Sequence, residues 1–201
     1  MSTRNTILRA AARGFTLVEL MIIIVLIGII GTTFFVFFNS SLSQYLALQK
    51  DGTDFTDLAT QSQRVANVLR GLTDITSESA NAITCYAYFA PSDTYVSQIH
   101  YYVSADGTKL LADVTPMTAN PPIGSLITAD EKTFNIISDL YQPSGSNLFT
   151  YLDDAGSPLT LPVNDEHSIK GIQVNLAARG AHNSNQAISL QVSLRNRKTN
   201  L

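Results

Sequence analysis

The sequence predicts an α+β chain: one long N-terminal helix, its first half transmembrane, packed on an antiparallel β-sheet. Three observations carry this. An uncharged run extends from Leu20 to Phe38. A helical apolar stripe follows at Phe55, Leu58, Val65, Leu69 and Leu72, with steps that fit three- and four-residue spacing once Ser62 fills the missing place. Beyond residue 81 the apolar period shortens to two, most plainly in Ile172, Val174 and Leu176 and again in Ile188, Leu190, Val192 and Leu194.

The uncharged run comes first. At about 1.5 Å per helical residue, Leu20 to Phe38 spans roughly 28 Å, close to the hydrocarbon thickness of a bilayer. A secretory signal has a shorter apolar core and a small-residue cleavage site, and NSSLSQ, residues 39–44, is a poor one. Arg4, Arg9 and Arg13 precede the run with no Asp or Glu among them, whereas Asp51, Asp54 and Asp57 follow it. By the positive-inside rule the N-terminus is cytoplasmic and the bulk of the chain lies outside the cytoplasm. Membrane lipid is therefore an expected partner of the segment.

Composition narrows the rest. Of 201 residues, 45% are hydrophobic and only 14% charged, which suits one membrane segment plus one modest core rather than a multidomain enzyme. All 16 acidic residues lie after Gly14, against 10 of the 13 Lys and Arg, so no basic stripe for nucleic acid is present and none is predicted to bind directly. Cys85 is the single cysteine. It has no internal disulfide partner, and its alternation with Ile83, Ala87 and Phe89 reads as a buried strand thiol.

Glu19 interrupts this simple picture. A carboxylate near the start of an apolar helix gains about 0.3 to 1 kcal/mol from the helix dipole and hydrates at the membrane face, so its presence alone demands no function. The surrounding residues supply the context: Arg13-Gly14 precedes Phe15-Thr16-Leu17-Val18-Glu19, and a helix-length apolar run follows.

These residues closely resemble the N-terminus of a type IV prepilin. The resemblance implies a basic leader, residues 1–14, cut by a prepilin peptidase between Gly14 and Phe15, and N-methylation of the new terminal residue to N-methylphenylalanine at Phe15. It also implies that Glu19 of an incoming subunit pairs with the terminal amine on Phe15 of a neighbour. Two opposite charges attract strongly in a low-dielectric bundle, and burying either alone is costly. An intramolecular contact between the Phe15 amine and Glu19 is open at this spacing as well. The domain boundaries follow: leader 1–14, transmembrane half-helix 15–38, extracytoplasmic amphipathic half-helix 39–80 and a globular pilin-like sheet domain over 81–201.

Several features refine that resemblance. Resembling major pilins usually carry a helix-bending Pro in the span, where this chain reads GTTFFVFF from Gly31 to Phe38, and this suits a minor subunit. LFTYLDDAGSPL, IKGIQVNLAA and ISLQVSLRNRK resemble minor pilins and pseudopilins of the PilW or GspJ sort. The implied partners are the prepilin peptidase, other pilin or pseudopilin subunits, and an inner-membrane assembly platform with a separate ATPase. The machine is a pilus, a type II secretion pseudopilus or a DNA-uptake pseudopilus. An anchored binding module, an adhesin or a DNA receptor, is the alternative.

The remaining motifs read as structural. Asp51-Gly52 is a weak point in the helix, which is expected to end between Thr73 and Asn81. Strands are expected at 83–89, 95–103, 134–140 and 148–152, with polar, Pro-rich connections at 115–125, 141–147 and 178–186. His100, His167 and His182 form no metalloprotease, hydrolase or Cys-His arrangement, no phosphate cradle is present, and the chain reads as no enzyme, with neither catalytic residues nor cofactors. Asp153-Asp154-Ala155-Gly156 is a turn sequence lacking the alternating oxygen ligands of a calcium loop, although some pseudopilins bind calcium. Tyr86, Tyr88, Tyr95, Tyr101 and Tyr102 suit a half-buried sheet or an exposed aromatic patch. Gly28 and Gly31 lack GxxxG spacing.

Overall fold

A computed structural model describes residues 15–143, 145–180 and 185–195. The element order is α1 (Leu17–Arg70), β1 (Asp74–Glu78), β2 (Ala82–Ala87), β3 (Ser97–Val103), β4 (Leu110–Pro116), β5 (Lys132–Ile137), β6 (Phe149–Leu152), β7 (Gly171–Arg179) and β8 (Asn185–Ser193). The chain divides into two units, the first ending at Leu46 and the second beginning at Ala47.

In the first unit α1 is apolar and exposed. Leu17, Val18, Leu20, Met21, Ile22 and the large apolar residues from Ile24 to Phe38 present their side chains outward. This helix is long and apolar enough to cross a membrane, and its exposed apolar surface is what lipid or neighbouring helices would cover. Thr32 and Thr33 return their hydroxyls to the carbonyls of Gly28 and Ile29, the latter at 2.8 Å, so neither polar group is unsatisfied in an apolar setting.

In the second unit α1 becomes amphipathic. Leu58, Ser62, Val65, Leu69 and Leu72 are all buried, at most 3% exposed, which realises the expected stripe. Ser62 fits because its hydroxyl donates to the Leu58 carbonyl at 2.6 Å, leaving no unpaired polar atom in the core. Phe55, expected to lie on the same stripe, is instead 46% exposed. The helix runs on through Gly52 and ends at Arg70, earlier than the expected 73–81. Residues 74–78 form a strand instead, because Ile75 and Thr76 are β-branched and β2 offers them an antiparallel partner, with Ile75 opposite Cys85.

Two sheets replace the single expected one: five strands in the order β1-β2-β3-β4-β5, and three in the order β6-β7-β8. All pairings are antiparallel. β4 falls where no strand was expected, its Pro116 opposite Ser97 at the strand end, a position where a missing N–H is tolerated. The sheets share one core. Ile75, Ile83, Cys85, Ile99 and Leu110 from the first join Phe149, Tyr151, Ile172, Val174, Leu176 and Val192 from the second, together with the α1 stripe.

Hydrogen bonds stitch the sheets together. The Phe149 N–H donates to the Ala80 carbonyl at 3.0 Å and the Tyr141 N–H to the Ala177 carbonyl at 2.8 Å. The buried Tyr151 hydroxyl lies 3.1 Å from the Ser79 carbonyl and 3.2 Å from that of Ala82, and it accepts the Ser79 N–H at 3.3 Å.

Candidate functional site

The candidate site is the N-terminal turn of α1. Thr16 precedes the first helical residue, Leu17, and its Oγ1 accepts the backbone N–H of Glu19 at 3.3 Å, while its carbonyl accepts the N–H of Leu20 at 3.1 Å. This is an N-cap, and it satisfies an otherwise orphaned helix donor. The pattern Thr-x-x-Glu is that of a capping box, a signal available in the sequence that the reading of Glu19 as a charged site overlooked. Only half of the box forms, since among the described residues no partner bonds the Glu19 carboxylate. The side-chain acid is thus held at a defined place on the helix, with no described residue bonded to its oxygens.

Phe15 is 72% exposed, next to the cap. Gly14 lies outside the described residues, as do residues 1–13, the rest of the expected leader, and His182. Gly28 and Gly31 have open space where a side chain would sit, so close packing within this chain does not account for them.

The other residues singled out in the sequence serve the fold. His100 Nδ1 is 2.8 Å from Thr84 Oγ1, and its ring stacks 4.9 Å from Tyr102. His167 is exposed, 3.7 Å from Asp165. Asp153 to Gly156 forms a tight turn: Gly156 donates to the Asp153 carbonyl at 3.1 Å, Ser157 N–H donates to Asp153 Oδ1 at 2.8 Å, and Gly156 takes a φ of 78° that favours glycine. The Asp153 side chain is thereby used in the turn itself. Tyr101 is buried, while Tyr88 and Tyr95 remain 43% and 44% exposed. Cys85 is fully buried on β2, and burial pushes its thiol up to about 12. Among the described residues no group of three or more His, Cys, Asp or Glu is arranged to hold a metal ion.

Residues 9–35 match the prokaryotic N-terminal methylation motif. The match covers Arg9 to Arg13, Gly14, Phe15, the Thr16 cap, Glu19 and most of the apolar run. No curated protein matches the chain. A methylation motif that opens onto an exposed apolar helix, continued by an amphipathic half-helix and antiparallel sheets, supports a relation to the type IV prepilins and pseudopilins.

Proposed function

We propose that the chain is a minor pilin or pseudopilin of the PilW or GspJ sort, cut between Gly14 and Phe15, N-methylated at Phe15 and assembled through its N-terminal helix. In this reading it waits in the inner membrane with its N-terminus cytoplasmic and then enters a type IV pilus, a type II secretion pseudopilus or a DNA-uptake pseudopilus. The observation that carries it is the Glu19 carboxylate, bound by no described residue at the capped start of an apolar helix. Cleavage before Phe15 creates an ammonium. Inside a bundle of such helices, the ammonium of one subunit and the Glu19 of another each lower the cost of burying the other, which gives the contact a defined axial register. Contacts of this head-to-tail kind do not close, and so they extend into a filament.

The test is mass spectrometry of the mature N-terminus from cells with and without the peptidase. A start at N-methyl-Phe15 in the first and an intact leader in the second is expected; a start after Ser41 refutes the reading. Glu19→Ala is expected to insert into the membrane normally and to be lost from filaments. Normal incorporation of that variant defeats the pairing.

The alternative, an anchored binding module, draws on a groove of about 860 Å³ between α1 and residues 88–91. There the Arg64 guanidinium lies 4.8 Å over the Phe89 ring beside the exposed Tyr88. Ala59→Trp, which fills the groove, separates the two readings: it abolishes a binding function and spares incorporation.

A further inference from the structure

Each sheet has two edge strands, and three of these four edges are blunted. β1 carries Asp74 and Glu78, its register shifts between Ile75 and Ser77, and Glu78 Oε1 takes the Val163 N–H at 3.2 Å. β5 begins with Lys132, and its pairing to β4 is interrupted at Leu110/Leu111. β6 has only 4 residues, and its outer side is taken, with the Leu159 N–H donating to the Tyr151 carbonyl at 2.8 Å and Leu152 bridged to Pro158. Charges, bulges and covering segments of this sort are how sheets avoid pairing with other chains.

Among the described residues β8 has none of these protections. Its 9 residues, Asn185-Gln-Ala-Ile-Ser-Leu-Gln-Val-Ser193, contain no charge and no proline, and they pair with β7 in unbroken register. Among the described residues β7 is its only strand partner. The Leu194 N–H donates to the Lys170 carbonyl at 2.9 Å, and this sets the phase of the ladder. Gln186, Ile188, Leu190 and Val192 direct their backbone groups to β7, whereas Asn185, Ala187, Ser189, Gln191 and Ser193 direct theirs to the open side. Ile188 and Leu190 are only half-buried, although Val192 and Leu194 on the same face are in the core.

We propose that β8 is the docking edge for a second copy of this chain, paired antiparallel β8 to β8 about a two-fold axis through Ser189. This register alone overlaps the whole strand, and it sets Ile188 opposite Leu190 of the second copy, with Gln186 opposite Val192. A slip of one residue sets the apolar face of one strand against the wet face of the other. The charge pattern selects β8 as well. Every facing pair in it is neutral, whereas β1 paired to itself sets Asp74 against Glu78, a repulsive contact. The outward N–H and C=O groups of Ala187, Ser189 and Gln191 are satisfied by those of the second copy, as in strand addition generally. A two-fold contact closes on itself, so this dimer is a state distinct from the filament, and it stands whether or not the Glu19 pairing does.

The full chain in detergent tests the proposal. It is expected to sediment as a dimer, and a short bis-maleimide is expected to link Ser189→Cys into a covalent dimer. Two Ser193→Cys thiols in that register lie about 27 Å apart, at about 3.4 Å per residue, and are expected to stay unlinked. The buried Cys85 is shielded from the reagent. Gln191→Pro removes an outward N–H without touching the β7 ladder, and it is expected to weaken dimerisation roughly tenfold, as loss of its two symmetry-related bonds implies. A folding control comes from charge pairs at exposed positions: Ala187→Lys with Gln191→Lys abolishes the dimer, and Ala187→Lys with Gln191→Glu retains it. A monomer at all concentrations overturns the proposal. So does equal linking at 189 and 193, or a dimer indifferent to both charge pairs, which would mean association through the apolar helix.

Discussion

Tyr151→Phe isolates the contact that joins the two sheets. The ring is 1% exposed and stays packed in the variant, so only the hydroxyl is lost. That hydroxyl accepts the Ser79 N–H at 3.3 Å and lies within donor reach of the Ser79 carbonyl at 3.1 Å and the Ala82 carbonyl at 3.2 Å, of which it can serve one at a time. The Ser79 N–H keeps a second acceptor, the Ala82 carbonyl at 2.9 Å, so the variant leaves no orphaned donor. The net loss is that of one to two neutral bonds, about 1 to 1.5 kcal/mol, or roughly 3 to 5 °C in Tm for a folded unit of this size. The chain has no tryptophan, so near-ultraviolet circular dichroism of the tyrosines during thermal and urea unfolding of the full chain in detergent is the assay. Tyr102→Phe is the control: among the described residues its hydroxyl bonds only Asp113, at 3.4 Å, and about 0.5 kcal/mol or less is expected. If Tyr151→Phe is no more destabilising than Tyr102→Phe, the Tyr151 hydroxyl contributes nothing to the joint between the sheets and the reasoning fails.

Other outcomes follow from the same structure. Leu69→Ala, at a fully buried position on the α1 stripe, is expected to cost about 2 to 5 kcal/mol in the same unfolding assay, whereas Phe55→Ala, at a site 46% exposed, costs far less. Cys85, its thiol pushed up to about 12 by burial, is expected to react with a thiol reagent at pH 8 only on unfolding; its contribution to stability is complete below the ordinary thiol pKa and is lost as pH rises from there towards 12. Hydrogen bonds from Ser104 and Thr108 hold Asp106 down to about 2, so its contribution to the β3–β4 turn is present above the ordinary carboxylate pKa and lost as pH falls towards 2. An NMR titration of the Gly107 amide is expected to move in that window, and Ser104→Ala raises its midpoint. Thr16→Ala, which deletes the cap on α1, is expected to fray the first helical turn by about 1 kcal/mol, with faster amide exchange at Glu19 as the readout.

Local pattern by itself determined the elements whose residues carry their own periodicity. The apolar run, the Leu58–Leu69 stripe, the alternation in β7 and β8 and the Asp153–Gly156 turn were legible because each follows from residue types and spacing along a single segment, and the methylation motif around Gly14, Phe15 and Glu19 was legible through its resemblance to prepilins. Tertiary structure decided what depends on a distant partner. Residues 74–78 became a strand rather than a helix end because β2 was there to pair with them, and the strands fall into two sheets because β5 ladders with β4 while β6 ladders with β7, a choice of partner that spacing within one segment does not fix. Phe55 left the stripe although its spacing fits. The open side of β8 belongs to the same class: alternation shows which side chains of a strand share a face, but only the completed sheet shows which backbone groups are left without a neighbour.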